Sequence, residues 1–205
     1  MQHKYIIWDL DGTLMDSYPV MTLAIQKALA GFGIHAELKE LEIFVRQRVR
    51  NAYQQYVPQI SYADFKAAWK AEEAALLHRI QPFPYAAELL SEFEARGAAQ
   101  FVYTHRERRS TDLLLEKYDF SKYFRRVITA DDGYPKKPDP QPVTALLQDF
   151  RIPRKQALFV GDRTLDIQTA VHAGIAGLLI AAQPYEAAYA CFPDLESLYR
   201  ILLRQ

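Results

Sequence analysis

The sequence has few of the features that mark secreted, membrane or nucleic-acid-binding proteins. It has one cysteine, Cys191, which excludes an internal disulfide and fits a reducing compartment. Lys and Arg together number 25, as do Asp and Glu, so no basic surplus indicates a nucleic acid or an acidic membrane as partner. The longest apolar run, 173–182, is far shorter than the ~20 residues needed to span a bilayer.

Targeting segments and repeats are also lacking. The N-terminus is polar and reaches the acidic residues Asp9 and Asp11 without the long uncharged stretch of a signal peptide. We found no internal repeat and no low-complexity segment. For 205 residues, we therefore expect a cytoplasmic protein with one core domain and an inserted subdomain.

Short apolar runs alternate with helical periodicity along most of the chain. The predicted strands are 5–8, 98–103, 126–129, 157–160 and 176–181. The predicted helices in the same part of the chain are 85–96, 106–117, 139–150, 164–173 and 195–203. Alternating strands and helices predict the α/β class, with a Rossmann-like parallel sheet as core and helices on both faces.

Strand patterns vanish between residues 16 and 81. Helices are predicted there at 16–33, 37–56 and 61–80, and a proline-containing return linker follows at 81–84. We therefore predict an inserted all-helical subdomain at 16–81 and an α/β core domain made of 1–15 and 82–205.

Four polar clusters follow predicted strands. They occupy residues 9–13, 104–106, 136–140 and 161–166. Ligands of open parallel sheets bind at the carboxyl ends of the strands, so clusters at those ends should converge on one site.

Each cluster alone also has an ordinary structural explanation. Asp9 and Asp11 could form a solvated acidic turn. Thr104 and Asp162 could each cap the helix that follows, and the lysines of the third cluster could be solvated. The order of the clusters and their placement at strand ends favour one shared site.

The first two clusters carry a family resemblance. The string Asp-Leu-Asp-Gly-Thr, from Asp9 to Thr13, resembles the first motif of the haloacid dehalogenase-like hydrolase superfamily. Thr104 resembles the hydroxyl residue of its second motif. The acid at position 11 indicates the phosphatase branch, because the dehalogenase branch lacks an acid there and the phosphonate-cleaving branch has Ala.

The last two clusters and the helical insert extend this resemblance over nearly the whole chain. Lys137, directly before Pro138, resembles the third-motif lysine, and Gly161-Asp162 with Asp166 resembles the Gly-Asp-x-x-x-Asp fourth motif. Segment 16–81 is similar to the small helical (C1-type) cap of phosphoglycolate phosphatase-like members.

The resemblance implies a phosphatase that uses Mg²⁺ to hydrolyse a small phosphorylated metabolite. Asp9 would be the nucleophile, Asp11 the general acid and base, and Lys137 a counter-charge. The metal group implied is Asp9, Asp11 through its backbone carbonyl, Asp162 and, nearby, Asp166. The phosphate-binding residues implied are Gly12, Thr13, Thr104, His105, Arg106 and Lys137.

Several alternatives stay open at this point. A phosphomutase similar to β-phosphoglucomutase would use the same core, and a non-catalytic binding module would be expected to have lost a motif residue. The cap should select the substrate, and its segment 46–50, with arginines at 46, 48 and 50, could contact an anion or be solvated. The sequence leaves the oligomeric state and the substrate undetermined.

Overall fold

A computed structural model describes residues 3–204. The strands are β1 (Tyr5–Trp8), β2 (Met15–Asp16), β3 (Gln81–Pro82), β4 (Ala99–Tyr103), β5 (Phe124–Ile128), β6 (Ala157–Gly161), β7 (Ala176–Ile180) and β8 (Ala190–Phe192). The α-helices are α1 (Tyr18–Gly31), α2 (Leu38–Gln47), α3 (Val49–Tyr56), α4 (Tyr62–Leu76), α5 (Ala86–Ala95), α6 (Arg108–Lys117), α7 (Gln141–Asp149), α8 (Thr164–His172) and α9 (Leu195–Leu203).

The chain forms two compact units. The first, which we call the sheet unit, consists of Met1–Met15 and Pro82–Gln205. The second, which we call the helical unit, is Asp16–Gln81. Strands β2 and β3, where the chain passes from one unit to the other, pair in a two-stranded sheet.

Six strands of the sheet unit form one parallel sheet in the order β5-β4-β1-β6-β7-β8. This confirms the predicted α/β class and its parallel sheet. β1 lies in the middle and pairs on both sides, with Trp8 level with Val102 of β4 and Val160 of β6. The three strands therefore end at the same edge of the sheet.

Both faces of the sheet are covered, which explains why its central strands are almost continuously apolar. On one face, Ile7 and Phe159 are fully buried in a cluster that includes Leu146 of α7. On the other face, Trp8 meets Phe93 of α5 edge to face, with ring centroids 5.7 Å apart.

The helical unit has its own aromatic contacts and packs α1 against α4 and α2. The ring of Tyr53 lies 5.1 Å from that of Tyr62 and 5.6 Å from that of Phe65. The single helix predicted at 37–56 is wrong, because the chain is extended at Arg48 (φ −158°, ψ 122°) and separates α2 from α3. Across residues 3–204, we find no helix with the length and apolarity to cross a membrane.

Candidate active site

The parallel register brings three of the polar clusters to one edge of the sheet. Asp9 directly follows β1, and its N–H donates to the carbonyl of Val160 on β6 at 2.8 Å. Thr104 directly follows β4, and its N–H donates to the carbonyl of Ile128 at 2.9 Å. Asp162 directly follows β6. The strand ends thus place these side chains at one edge of the sheet, where ligands of parallel sheets bind.

Lys137 comes from a loop and lies between two carboxylates. Its Nζ is 2.5 Å from an oxygen of Asp9 and 2.7 Å from an oxygen of Asp166, and all three side chains are buried. The rings of Tyr103 and Phe159 lie 4.8 and 5.0 Å from the same Nζ. Burial alone would lower the pKa of Lys137, but Asp166 and Asp9 raise it above its ordinary value, so this residue is a fixed positive charge.

Three carboxylates form a group that could hold a metal ion. Ligand oxygens of Asp9, Asp162 and Asp166 all lie within 4.8 Å of one another. The hydroxyl of Thr13 reaches two of them, Asp9 at 3.4 Å and Asp162 at 3.3 Å. Three negative charges against the single ammonium of Lys137 leave a surplus that one divalent cation would neutralise, and carboxylates are the donors that Mg²⁺ prefers.

The electrostatics of Asp9 support the same conclusion. Burial raises its pKa well above the ordinary range of an aspartate; Lys137 opposes this, while Asp166 and Asp162 add to it. A buried carboxylate among like charges is costly to ionise unless cations compensate. A divalent cation beside Lys137 would supply that compensation and keep Asp9 in its charged form.

Asp11 lies outside this group of three and instead pairs with Arg106. The Nε of Arg106 donates to both oxygens of Asp11 at 3.0 and 3.1 Å, and one terminal nitrogen donates at 2.7 Å. The Arg106 side chain is 1% exposed and that of Asp11 is 19% exposed. Gly12 follows with φ 86°, a left-handed conformation that glycine adopts without steric cost.

The second cluster is arranged as a loop before α6. The predicted helix start at residue 106 is wrong, because α6 begins at Arg108 with Glu107 as its N-cap, and Thr104 does not cap it. The Thr104 hydroxyl oxygen accepts the N–H of Arg106 at 3.1 Å, which leaves its own hydrogen to donate elsewhere. The imidazole of His105 accepts the N–H of Lys137 at 2.9 Å.

The fourth cluster depends on a glycine that sequence reasoning did not single out as a site residue. A Cβ at Gly161 would lie 2.4 Å from side-chain atoms of Asp166, far inside any normal contact. Asp166 also accepts the N–H of Arg163 at 3.0 Å, so its carboxylate is fixed from two directions. The signal was available in the sequence, because Gly161 stands at a strand end directly before Asp162.

Comparison with protein families gives one match that spans most of the chain. The model of the haloacid dehalogenase-like hydrolase family matches residues 6–180. This chain belongs to that family. The match includes all four polar clusters and the whole helical unit.

Phosphatases are among the similar proteins. Phosphoglycolate phosphatase of Rhodospirillum rubrum is 32% identical over 216 residues, covering 95% of this chain and 89% of that protein. Phosphoglycolate phosphatase of Pseudomonas savastanoi pv. phaseolicola is 30% identical over 184 residues, covering 84% and 67% respectively. This member of the haloacid dehalogenase-like family is therefore a phosphatase.

Solved structures agree with the fold. A hydrolase from Streptococcus pneumoniae TIGR4 is 29% identical and has a TM-score of 0.67. The alignment covers 88% of this chain and 94% of that one. CbbY from Rhodobacter sphaeroides, solved in complex with phosphate, has a TM-score of 0.80 with 96% coverage of both chains. At 18% identity, that second likeness shows the fold alone.

Proposed function

We propose that this phosphatase uses Mg²⁺ to hydrolyse a small phosphorylated metabolite through a phosphoaspartate on Asp9. One observation carries the proposal. The Asp9 carboxylate contacts the ammonium of Lys137 and lies in one group with the half-buried Asp162 and the buried Asp166. A nucleophile, a fixed cation and a site for a second cation are what phosphoryl transfer to a carboxylate requires.

In the first half of the reaction, an oxygen of Asp9 attacks phosphorus and the bond from phosphorus to the leaving oxygen breaks. Asp11 gives its proton to that oxygen, so the leaving group departs as an alcohol. In the second half, Asp11 takes a proton from water as the water oxygen attacks phosphorus. The Asp9–phosphorus bond then breaks, which releases phosphate and restores both carboxyl groups.

Other residues would hold the phosphoryl group. Lys137 offsets the negative charge that gathers on Asp9 and the phosphoryl oxygens. The Thr104 hydroxyl, whose oxygen already accepts a hydrogen bond, has its hydrogen available for a phosphoryl oxygen. Arg106 holds the Asp11 carboxylate by two nitrogens and so fixes the orientation of the group proposed to carry the proton.

Asp9, Asp162 and the backbone carbonyl of Asp11 would hold the Mg²⁺ ion. When bound, the ion supplies positive charge that relieves repulsion between the Asp9 carboxylate and the phosphate dianion. Asp166 lies in the same group, but Lys137 and the N–H of Arg163 already engage both of its oxygens. We therefore assign Asp166 mainly to orienting Lys137.

Substrate selection is proposed to lie in the helical unit, acting as the cap of the enzyme. Two of its candidate arginines have contacts within that unit. Arg46 pairs with Glu42 at 2.9 Å and stacks over the ring of Tyr18 at 4.8 Å, and Arg50 stacks over Tyr62 at 5.1 Å. The named relatives hydrolyse phosphoglycolate, so a small phosphorylated acid is the first substrate to test.

An assay with a generic aryl phosphate tests the proposal. We expect turnover by the wild type that depends on added Mg²⁺ and is lost with a chelator. Asp9→Asn should reduce kcat by about 10⁴-fold or more, because it removes the attacking carboxylate. Asp149→Asn, at an exposed aspartate of α7 paired with Arg126, should behave as the wild type.

Two outcomes would contradict the proposal. A wild type no faster than Asp9→Asn would indicate a non-catalytic binding module. A sugar phosphate that isomerises without release of inorganic phosphate would indicate a phosphomutase.

A further inference from the structure

We propose that the imidazole of His105 is a positioning group for Lys137, because its Nε2 accepts the backbone N–H of that lysine. The distance is 2.9 Å, and the two residues are 32 positions apart in the chain. The inference rests on the role given to Lys137 in the proposed function. It assigns to the His105 side chain a task separate from any contact with phosphate.

The contact meets a need of the loop that carries Lys137. A backbone N–H is a strong donor that must find an acceptor when it is taken out of water. Lys137 is buried, and Pro138, the next residue, has no N–H with which to continue a regular pattern. The imidazole therefore does here what a carbonyl does inside a helix or sheet.

The contact also fixes the protonation state of His105. Nε2 can accept only when it carries no hydrogen, so the ring is neutral with its proton on Nδ1. Burial, and after it the positive charges of Lys137, Lys136 and Arg163, lower the pKa of His105 to about 3, against a smaller opposing effect of Asp11. The ring thus stays a neutral acceptor at any pH where the enzyme would work.

Two further side chains hold the same loop on either side of Lys137. The Tyr103 hydroxyl donates to the carbonyl of Pro135 at 3.1 Å, and burial raises the pKa of Tyr103 to about 12, so the hydroxyl keeps its proton. The Nδ1 of His172 lies 2.9 Å from the carbonyl of Pro138. His105 therefore acts at the centre of a loop whose flanks are already fastened.

The position of the loop backbone decides where the ammonium lies. Nζ is at the end of four methylene groups and must meet Asp9 at 2.5 Å and Asp166 at 2.7 Å together. A shift of the Lys137 backbone by about 1 Å is enough to break one of these contacts, and misplacement of that size can cost about 100-fold in rate.

The test compares two substitutions at the same position. His105→Gln places an amide oxygen close to where Nε2 lies, whereas His105→Leu fills a similar volume without an acceptor. We expect His105→Gln to keep kcat within about 3-fold, and His105→Leu to lower kcat by about 30-fold or more with KM changed by less than about 3-fold. His35→Leu, at an exposed histidine of the helical unit, is the matched control and should not change kcat.

Equal activity of the Gln and Leu variants, whether both normal or both impaired, would overturn the proposal. A measurement on the wild type covers the case in which His105→Leu fails to fold. Long-range ¹H–¹⁵N spectra of the histidine rings should show a bare Nε2, a protonated Nδ1 and no titration of His105 between about pH 5 and 8. The opposite tautomer would exclude the contact, while a wild type without turnover would refute the proposed function and leave the ring spectrum to decide on the contact.

Discussion

Asp11 and Arg106 meet through two guanidinium nitrogens and both carboxylate oxygens, in a setting where the arginine is almost fully buried. A lysine ammonium is a point charge and cannot reproduce this contact between two nitrogens and two oxygens. We expect Arg106→Lys to lower kcat by about 10-fold and Arg106→Met to lower it by about 100-fold, because the carboxyl group proposed to carry the proton loses its fixed orientation. Steady-state kinetics with the aryl phosphate would measure both, and a fully active Arg106→Met variant would contradict the role of this pair.

Gly161 acts by having no side chain. In Gly161→Ala the new methyl group would meet Asp166 at 2.4 Å, so the carboxylate that holds Lys137 must move. We expect a loss of about 1–3 kcal/mol in the free energy of unfolding and a fall in kcat of about 10-fold or more, measured by denaturant unfolding and kinetics. Gly31→Ala is the control, because a Cβ there meets nothing within 4 Å, and it should leave kcat unchanged.

At the scale of elements, the N-cap residue of helix α9, Asp194, allows the contribution of one helix cap to stability to be measured. The Asp194 carboxylate accepts the N–H of Ser197 at 2.8 Å. Hydrogen bonds from the side chain and the backbone of Ser197 lower the pKa of Asp194 below its ordinary value. Because the folded-state pKa is depressed, the stabilisation is present above the unfolded pKa and is lost as the pH falls through the folded one. We expect Asp194→Ala to cost about 1 kcal/mol at pH 7 and less near pH 3, measured by urea unfolding.

Asp194→Asn serves as its control. The amide keeps an oxygen that can accept the N–H of Ser197, so this variant should lose only a small part of the stability at pH 7. Equal losses for Asp194→Ala at pH 7 and pH 3 would contradict a charged cap.

The elements also show how far sequence reasoning reaches. Both ends of β1 were predicted correctly, because a short apolar run between polar neighbours is typical of a buried strand. β8 was missed, because Ala190–Phe192 is a short, half-buried strand at the edge of the sheet without a distinct pattern. The break at Arg48 carries neither glycine nor proline, so nothing in the local sequence predicts it.

The same limit applies to the candidate site. Its place at the ends of β1, β4 and β6 follows from the parallel order of the strands, which periodicity reveals. The pairing of Asp11 with Arg106 spans 95 positions, and that of His105 with Lys137 spans 32. Such contacts depend on side-chain directions in three dimensions, which residue types and spacing do not supply.

At the scale of the whole molecule, the proposed metal site couples ligand binding to the stability of the sheet unit. A ligand that binds the folded state at 100 times its Kd adds about 2.7 kcal/mol. We expect saturating Mg²⁺ to raise the melting temperature of the wild type by about 5–10 °C, because it offsets the negative charge of Asp9, Asp162 and Asp166.

Two variants make this measurement specific. Asp162→Asn should lose most of the shift, while Asp149→Asn, at an exposed position of α7 paired with Arg126, should keep it. A shift of the same size in Asp162→Asn would mean that Mg²⁺ binds elsewhere on the protein.

Because β1 lies in the middle of the sheet, its neighbour β6 determines the stage of synthesis at which the carboxylate group can form. Asp9 leaves the ribosome before β6 and its following residues, which complete the carboxylate group and are made about 150 residues later. A nascent chain stopped before residue 157 therefore carries the proposed nucleophile with an incomplete set of the proposed metal ligands. Metal affinity should appear late and abruptly during synthesis, when β6 inserts beside β1.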